Sequence, residues 1–261
     1  ATTLAHMAAR GDDRIASATF FTSLVDFSEA GDLQVFIDEE QLTNLERKMD
    51  RDGFLDGSNM STTFNMLRAN DLIWSFVINN YLMGRDPFPF DLLYWNSDST
   101  RLPAAMHRYY LRNMYQHNLL VEPGALEIDA VPIDLGQITQ PTFILSTKED
   151  HIAPWAATYA ATQIYGGPVK FCLAGSGHIA GVINPPADKP KYGYWTKTGK
   201  APKSPDAWLA GATEHAGSWW PEWLKWVSRH SGGEAPARMP GDGGLPALEA
   251  APGSYVKNRL K

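Results

Sequence analysis

Two short segments of the sequence place an acid and a histidine where catalytic groups of parallel sheets are found. Asp150 follows the apolar run of residues 143–145, and His178 follows the apolar run of residues 169–173. Glycines on either side of His178 allow a tight turn that projects its imidazole. The two residues are 178 − 150 = 28 positions apart, which leaves room for one helix between two strands. This order and context are typical of a nucleophile, acid and histidine triad. Taken singly, the aspartate could instead cap a helix and the histidine could be structural.

The surrounding elements explain how the two loops could meet. Residues 15–25, 140–146 and 168–173 are rich in β-branched and apolar residues, as expected of buried strands, and residues 154–165 have a helical pattern. A strand, a crossover helix and a strand imply a parallel sheet, whose carboxyl edge collects ligands and catalytic groups. The sequence therefore predicts an α/β fold with a mostly parallel sheet flanked by helices.

The nucleophile of such a triad has no good candidate in the chain. The strained elbow pattern Gly-x-Ser/Cys-x-Gly is absent, and Cys172 is the only cysteine. Cys172 lies within a predicted strand, where cysteine normally packs as a small apolar residue. Ser176 is two positions from His178, too close in sequence to be oriented as its partner, and we expect it to support the loop.

The first residues suggest where the nucleophile belongs. Residues 1–10 are predicted to form a helix that ends at Gly11 and has no N-cap. In a fold of this type the elbow directly precedes a helix that leads into the next strand. We therefore expect the nucleophile upstream of Ala1 and the chain to be a fragment or a processed product.

The domain organisation is predicted as a core with one insertion. Residues 1–25 and 94–230 are assigned to the α/β core, the latter with the acid and histidine loops. Residues 26–93 break the alternation of strands and helices and are interpreted as an inserted cap or lid lobe, although a set of peripheral helices is the alternative. Residues 231–261 form a Gly/Pro-rich tail. Three tryptophans at helical spacing are predicted to form a core stripe: Trp219, Trp223 and Trp226.

Composition excludes several classes of function. Lys and Arg number 23 against 29 Asp and Glu, a net charge of −6, which argues against nucleic-acid binding. No stretch of about 20 apolar residues could span a bilayer, and a secretory signal peptide is not recognisable. The seven histidines show no paired metal-ligand spacing. We expect an intracellular, soluble protein without a metal site.

Residues 189–203 carry five lysines in an otherwise acidic protein. The lysines are interleaved with aromatic residues shortly after the histidine loop. One hypothesis is that some of them attract a phosphorylated substrate, and the alternative is a solvated loop. The lysines are Lys189, Lys191, Lys197, Lys200 and Lys203.

Long ungapped motifs add a family resemblance that covers almost the whole chain. They are GFLDG (53–57), LRANDLIW (67–74), FDLLYWN (90–96), EDHIAPW (149–155) and SGHIAGVINPP (176–186), with APGSYVK (251–257) near the end. These segments resemble the class I polyhydroxyalkanoate (PHA) synthases. The resemblance implies an α/β-hydrolase-like catalytic domain with a mobile cap.

The resemblance also implies a function and a site. The expected enzyme is a cytoplasmic, granule-associated acyltransferase, a homodimer through its cap, that polymerises (R)-3-hydroxyacyl-CoA, such as 3-hydroxybutyryl-CoA, into polyester. Coenzyme A is the leaving group, so no cofactor is expected, and CoA phosphates become the ligand of the lysine hypothesis. Asp150 and His178 match the family's acid and base, whereas Trp95 and His151 match positions near the substrate. The family's elbow cysteine is missing from this chain.

Two other interpretations remain open. An α/β-hydrolase-type ester hydrolase or polyester depolymerase would use the same acid and histidine with water as the acceptor. A synthase-like protein without catalytic activity would bind granules or dimerise through its cap. The identity of the nucleophile and the consumption of CoA thioester or water distinguish them. Whether Asp150 orients His178 or assists the substrate hydroxyl directly is also open.

Overall fold

The structure is a computed structural model that describes residues 1–67, 69–87 and 99–258. The chain divides into two compact units, one formed by Ala1–Leu45 with Arg108–Gly232 and the other by Glu46–His107 with Gly233–Lys261. The strands are β1 (Ala18–Phe21), β2 (Phe54–Leu55), β3 (Leu102–Pro103), β4 (Leu126–Ile128), β5 (Val131–Ile133), β6 (Thr142–Thr147), β7 (Val169–Ala174), β8 (Gly193–Thr196) and β9 (Thr213–Ala216). The described α-helices are α1 (Thr2–Ala9), α2 (Glu39–Asp52), α3 (Gly57–Leu67), α4 (Ala104–Tyr110), α5 (Trp155–Tyr159), α6 (Ala161–Ile164), α7 (Ala180–Ile183), α8 (Pro205–Ala210) and α9 (Trp220–Val227).

A five-stranded sheet organises the first unit in the order β1-β6-β7-β8-β9. β1, β6 and β7 are parallel, whereas β8 and β9 each pair antiparallel with their neighbour. All six residues of β6 are buried, as expected of a strand covered on both faces. The α/β prediction is confirmed, because the three predicted strands are parallel neighbours and helices 155–159 and 161–164 connect the second to the third.

Alternate residues of β6 and β7 supply two apolar cores. Ile144 and Leu173 belong to one cluster, whereas Phe143 and Cys172 belong to the other. Successive side chains of a strand point to opposite faces, so the clusters lie on opposite sides of the sheet. Complete burial of a side chain such as Phe143 stabilises the fold by about 1.5–3 kcal/mol.

The tryptophans near the end of the first unit pack as the sequence predicts. Trp219 and Trp226 are buried, and Trp223 packs half-buried against the same cluster. The Nε1–H of Trp223 donates to Thr19 Oγ1 on β1 at 3.0 Å. The tryptophan stripe is therefore part of the core and fastens α9 to the sheet.

Residues 102–120 differ in part from what their sequence predicts, which is one helix with five core positions. Of these positions, Met114 and Leu120 are buried, but Met106, Tyr109 and Tyr110 are exposed. The predicted helix is α4 followed by π-helical turns at Leu111–Gln116. The wider turns after Tyr110 change the phase of the helix, so residues 104–110 and Met114 do not lie on one regular 3.6-residue stripe.

The second unit contains the β2–β3 pair, α3 and π-helical turns at Asn70–Trp74 and Val77–Leu82. Several large apolar side chains between residues 73 and 83 are exposed. Within 233–258 the chain forms turns and a short 3₁₀-helix at Tyr255–Lys257. The assignment of residues 26–93 to a mobile cap stays a prediction. Within the described ranges, the helices are too short or too polar to cross a membrane.

Candidate functional site

The acid and histidine loops leave the sheet side by side. The parallel register pairs Thr147, the last residue of β6, with Ala174, the last residue of β7. The N–H of Lys148 donates to the Ala174 carbonyl at 2.8 Å, and the N–H of Glu149 donates to the Ser176 carbonyl at 3.0 Å. The hydrogen-bonded ladder thus continues past both strand ends and fixes the two loops relative to each other.

Asp150 and His178 form a hydrogen-bonded pair at this edge. The Nδ1–H of His178 donates to Asp150 Oδ2 at 2.7 Å, a length typical of a charge-assisted hydrogen bond. The side chain of Asp150 is 0% exposed, whereas that of His178 is 31% exposed. Because Nδ1 is engaged by the carboxylate, Nε2 is the ring nitrogen that remains for exchange of a proton with a reacting group.

The Asp150 carboxylate receives four hydrogen bonds. Oδ1 accepts from the N–H groups of Ile152 at 2.9 Å and Ala153 at 2.8 Å, and Oδ2 accepts from His178 and from Thr147 Oγ1 at 3.2 Å. Burial alone raises the pKa of Asp150, but hydrogen bonds from His178 and the two backbone N–H groups, with the His178 charge, bring that pKa below its ordinary value of 3.8. The carboxylate is therefore ionised, and its roughly four lone-pair directions are used.

The histidine loop depends on unusual backbone geometry. Ser176 has a φ of +74°, which an L-residue with a Cβ rarely adopts. Its carbonyl accepts the hydrogen bond from Glu149, so the backbone of Ser176 joins the two loops. This agrees with the expected supporting role of Ser176.

Close packing follows directly after the histidine. A Cβ placed on Gly181 would lie 2.5 Å from the Gly175 carbonyl oxygen and 2.5 Å from Thr147 Cγ2. Only glycine allows α7 to approach the end of β6 this closely. The Nε1–H of Trp219 donates to the carbonyls of Gly181 and Val182, each at 3.1 Å, which fastens α7 from its other side.

Cys172 is unsuited to nucleophilic chemistry. Its side chain is completely buried among Phe143, Trp219 and neighbouring residues of the second apolar cluster. Burial raises the pKa of the Cys172 thiol far above its ordinary value, and only the thiolate is an effective nucleophile. The prediction that Cys172 is a packed strand residue agrees with its position, and this chain therefore contains no cysteine able to complete the triad.

Of the two residues predicted to bind substrate, the structure describes only His151. His151 follows Asp150 in the acid loop and is half-buried. A Cβ on Gly31 would lie 3.3 Å from the His151 carbonyl oxygen and 2.9 Å from Pro154 Cγ, so the segment after β1 packs against this loop. Trp95 lies outside the described residues. A role in substrate binding stays a prediction for both.

The lysine-rich segment contains a strand, although its composition suggests a loop throughout. Residues 193–196 form β8, which runs antiparallel to β7. The Gly175 N–H donates to the Gly193 carbonyl at 2.7 Å, so the chain just before Gly193 lies at the edge that carries His178. The residues after Thr196 lie at the opposite edge.

This topology sorts the lysines into two groups. Lys189 and Lys191 precede β8. The Nδ2–H of Asn184 donates a hydrogen bond to the Lys191 carbonyl at 3.1 Å. Lys197 and Lys200 follow β8. Lys197 donates to the Gly211 carbonyl at 3.2 Å, and Lys200 borders a surface depression of about 490 Å³ beside Pro168 at the start of β7. Of the two groups, the first shares an edge with the Asp150–His178 pair.

Sequence reasoning missed one residue of this site, Thr147. The signal that could have found it is a hydroxyl residue at the buried end of a strand, three positions before the acid. Metal ligation has no comparable support, because residues 1–67, 69–87 and 99–258 contain no cluster of three or more His, Cys, Asp or Glu side chains suited to an ion.

Comparison with known proteins identifies relatives along nearly the whole chain. A poly(3-hydroxyalkanoate) polymerase subunit PhaC of Rhizobium meliloti is 54% identical over 260 residues, which are 99% of this chain and 42% of that protein. A poly(3-hydroxyalkanoate) polymerase of Methylorubrum extorquens is 52% identical over 98% of this chain and 42% of its own length. The polymerase subunit PhaC of Cupriavidus necator is 47% identical, with 98% and 44% covered.

No family model matches the sequence. The chain spans less than half the length of the relatives above. The aligned regions nevertheless cover nearly the whole chain, including both loops of the Asp150–His178 pair, at about 50% overall identity. The chain belongs to the poly(3-hydroxyalkanoate) polymerase family.

Proposed function

We propose that this chain supplies the acid and the base of a polyhydroxyalkanoate synthase. The reaction joins (R)-3-hydroxyacyl units, such as those of 3-hydroxybutyryl-CoA, into a polyester and releases CoA. The observation that carries this proposal is the hydrogen bond between the buried Asp150 and the partly exposed His178 in a chain whose relatives are named poly(3-hydroxyalkanoate) polymerases.

His178 acts as the general base in the first half of the proposed reaction. A thiol with an ordinary pKa of about 8.5 is mostly protonated at neutral pH, and a neighbouring imidazole generates the thiolate. The proton moves to Nε2 of His178, the sulfur attacks the thioester carbonyl, and CoA leaves as its thiol after receiving a proton. The nucleophilic cysteine belongs to a part of the protein outside this chain.

Asp150 serves to orient and charge-stabilise His178. Its side chain is completely buried, and both oxygens already accept two hydrogen bonds. A carboxylate without an open lone-pair direction is a poor acceptor for a substrate hydroxyl. We therefore assign deprotonation of the incoming 3-hydroxyl to His178. The hydroxyl oxygen attacks the acyl carbonyl, the new ester bond forms as the carbon–sulfur bond breaks, and the proton passes from His178 to the departing sulfur.

The substrate and the partners follow from the same proposal. CoA is the leaving group and no separate cofactor takes part. Lys189 and Lys191, which lie at the edge of the sheet that carries His178, attract the CoA phosphates by long-range electrostatics. His151 and Trp95 have a substrate-binding role in this proposal.

The second unit supplies the surface for self-association in this proposal. Trp74, Phe76, Tyr81 and Leu82 lie within nine residues of the sequence and are each more than half exposed, and exposed apolar surface often marks association sites. We assign it to a homodimer formed through the cap and the enzyme to polyester granules in the cytoplasm. Light-scattering mass measurements on Leu82→Asp should show monomers where the unmodified protein shows dimers.

The central experiment measures CoA release from 3-hydroxybutyryl-CoA. It uses a polymerase of the relatives' full length that carries this sequence, called the full-length polymerase below. His178→Gln should abolish CoA release, because glutamine cannot take up the proton that the imidazole accepts. His117→Gln, which changes an exposed histidine, should leave the rate unchanged.

Two results would favour the other interpretations. Release of 3-hydroxybutyrate from polyester without consumption of thioester would identify a depolymerase. An unmodified full-length polymerase that binds granules but releases no CoA would identify a protein without catalytic activity.

A further inference from the structure

We propose that Thr147 is a positioning residue for the Asp150–His178 pair, an inference that rests on the proposed function. Thr147 is completely buried. Its Oγ1 donates to Asp150 Oδ2, the same oxygen that accepts from His178. Its carbonyl accepts the N–H of Asp150 at 3.2 Å. Thr147 therefore holds both the backbone of Asp150 and the carboxylate oxygen that accepts from His178.

The methyl group of Thr147 fixes the direction of the hydroxyl. Gly181 lies so close that an added Cβ would come within 2.5 Å of Thr147 Cγ2. With the methyl group confined between Gly181 and the sheet, a β-branched side chain has little rotational freedom about χ1. Oγ1 is thereby directed at Asp150 without a further loss of conformational entropy during the reaction.

The electrostatic consequence concerns the moment when His178 takes up a proton. The imidazolium is stabilised by the negative charge of Oδ2, and rotation of the carboxylate would separate the two charges. A second donor on Oδ2 opposes that rotation and favours the ionised form of Asp150. Without it, the carboxylate keeps its two backbone donors on Oδ1, but Oδ2 is held by His178 alone.

A matched pair of variants in the full-length polymerase separates the hydroxyl from the methyl. Thr147→Val keeps the methyl contact with Gly181 and removes the donor, whereas Thr147→Ser keeps the donor and removes the methyl. Hydrogen bonds to charged groups are among the stronger ones in proteins. We expect T147V to lower kcat for CoA release about tenfold with KM nearly unchanged, and T147S to stay within about threefold of the unmodified protein.

The pH profile distinguishes positioning from general structural damage. In T147V the acid limb of kcat/KM should move to lower pH, because a carboxylate that can rotate away stabilises the protonated imidazole of His178 less, whereas in T147S the limb should stay in place. If T147V does not fold, as judged by its thermal unfolding, Thr147→Ala replaces it. T147A and T147S both lack the methyl and differ only in the hydroxyl.

The outcomes separate this inference from the proposed function. Equal kcat values and equal pH profiles for the variants with and without the hydroxyl would overturn the role of Thr147, provided that the unmodified polymerase releases CoA. Failure of the unmodified polymerase to release CoA overturns the proposed function itself.

Discussion

The acid loop (residues 148–153) and the histidine loop (residues 175–181) lie at the same edge of one sheet but differ in composition and exposure. Residues 148–153 contain no glycine, and they bury Asp150 under four hydrogen bonds. Residues 175–181 contain three glycines and a left-handed Ser176, and they leave the His178 side chain 31% exposed. One loop immobilises a charge, and the other presents a ring to its surroundings.

The difference teaches how the work of the pair is divided. A group that only stabilises charge gains from complete burial and saturated hydrogen bonding, since nothing else needs to reach it. A group that exchanges protons with a substrate must remain accessible. The loop that carries it therefore needs glycines, because a tight turn and close packing behind the ring are required together.

Loss of the charge in the acid loop should produce the largest effect. Asp150→Asn keeps the shape, but its Nδ2 group would face donors that now lack an acceptor. In the catalytic triad of serine proteases, replacement of the aspartate by asparagine lowers kcat by about 10⁴. We expect CoA release by the full-length polymerase to fall by about 10³ to 10⁴, measured with a thiol-reactive dye.

Asp188→Asn is the matched control, because Asp188 is exposed. Its rate should equal that of the unmodified polymerase. A D150N variant that keeps a tenth of the activity would show that immobilised charge is not what the acid loop contributes.

Addition of a methyl group at Gly181, behind the histidine loop, should have the second-largest effect. Helix propensity alone predicts that Gly181→Ala stabilises α7 by up to about 1 kcal/mol. The contacts at 2.5 Å with Thr147 Cγ2 and the Gly175 carbonyl oppose this, since overpacking costs about 1–3 kcal/mol. We expect a net decrease in the free energy of unfolding of about 1–2 kcal/mol in urea titrations, with loss of CoA release.

Gly232→Ala provides the reference, because nothing lies within 4 Å of the Cβ it would add. Equal or greater stability of G181A relative to G232A would contradict the argument that α7 must lie this close to β6.

The hydrogen bonds that Asp150 accepts also predict a dependence of stability on pH. The folded-state pKa of Asp150 is lowered, so its contribution to stability is fully present above its unfolded pKa of about 3.9 and is lost as the pH falls through the lower folded value. The difference in the free energy of unfolding between the unmodified protein and D150N should therefore shrink below about pH 4. Urea titrations across the acidic range test this. If the difference in the free energy of unfolding grew on acidification, the folded-state pKa of Asp150 would be raised and the prediction would be wrong.

Charge reversal at the two edges of the sheet should have the smallest effect. Lys191→Glu changes a residue at the edge that carries His178, whereas Lys200→Glu changes one beyond the other end of β8. We expect K191E to raise the apparent KM for acyl-CoA about two- to fivefold at low salt, with the effect decreasing at high salt. K200E should leave KM unchanged. Equal KM values for both variants would contradict the hypothesis that CoA binds at the edge that carries His178.

The long apolar runs of the sequence predicted the central part of the fold. β6 and β7 are buried on both faces, and a continuous apolar run of this length predicts a strand. Once the strands are predicted, the positions of Asp150 and His178 just after their ends follow directly. The register that pairs Thr147 with Ala174 follows from two parallel neighbours, and the 2.7 Å contact between the side chains is a consequence of it.

Other features depend on contacts that no local pattern reports. β8 is only four residues long and lies within a lysine-rich segment, so its strand-forming residues are too few to predict a strand by themselves. Its place in the sheet comes from pairing, because Trp195 pairs with Leu173 on one side and with Glu214 on the other. The contribution of Thr147 depends on Gly181, 34 residues later (181 − 147). Pairings across such distances decide local structure only once the sheet has formed.

The hydrogen bonds from Trp219 to Gly181 and Val182 also bear on when the site is completed during synthesis. The donor lies 38 residues after Gly181, at the start of a helix that must itself pack on β1 and β6. As chains emerge from the ribosome from their N-terminus, Asp150 and His178 are made well before the tryptophan that fastens α7 behind them. The pair therefore reaches its final geometry late, after α9 has left the ribosome and docked.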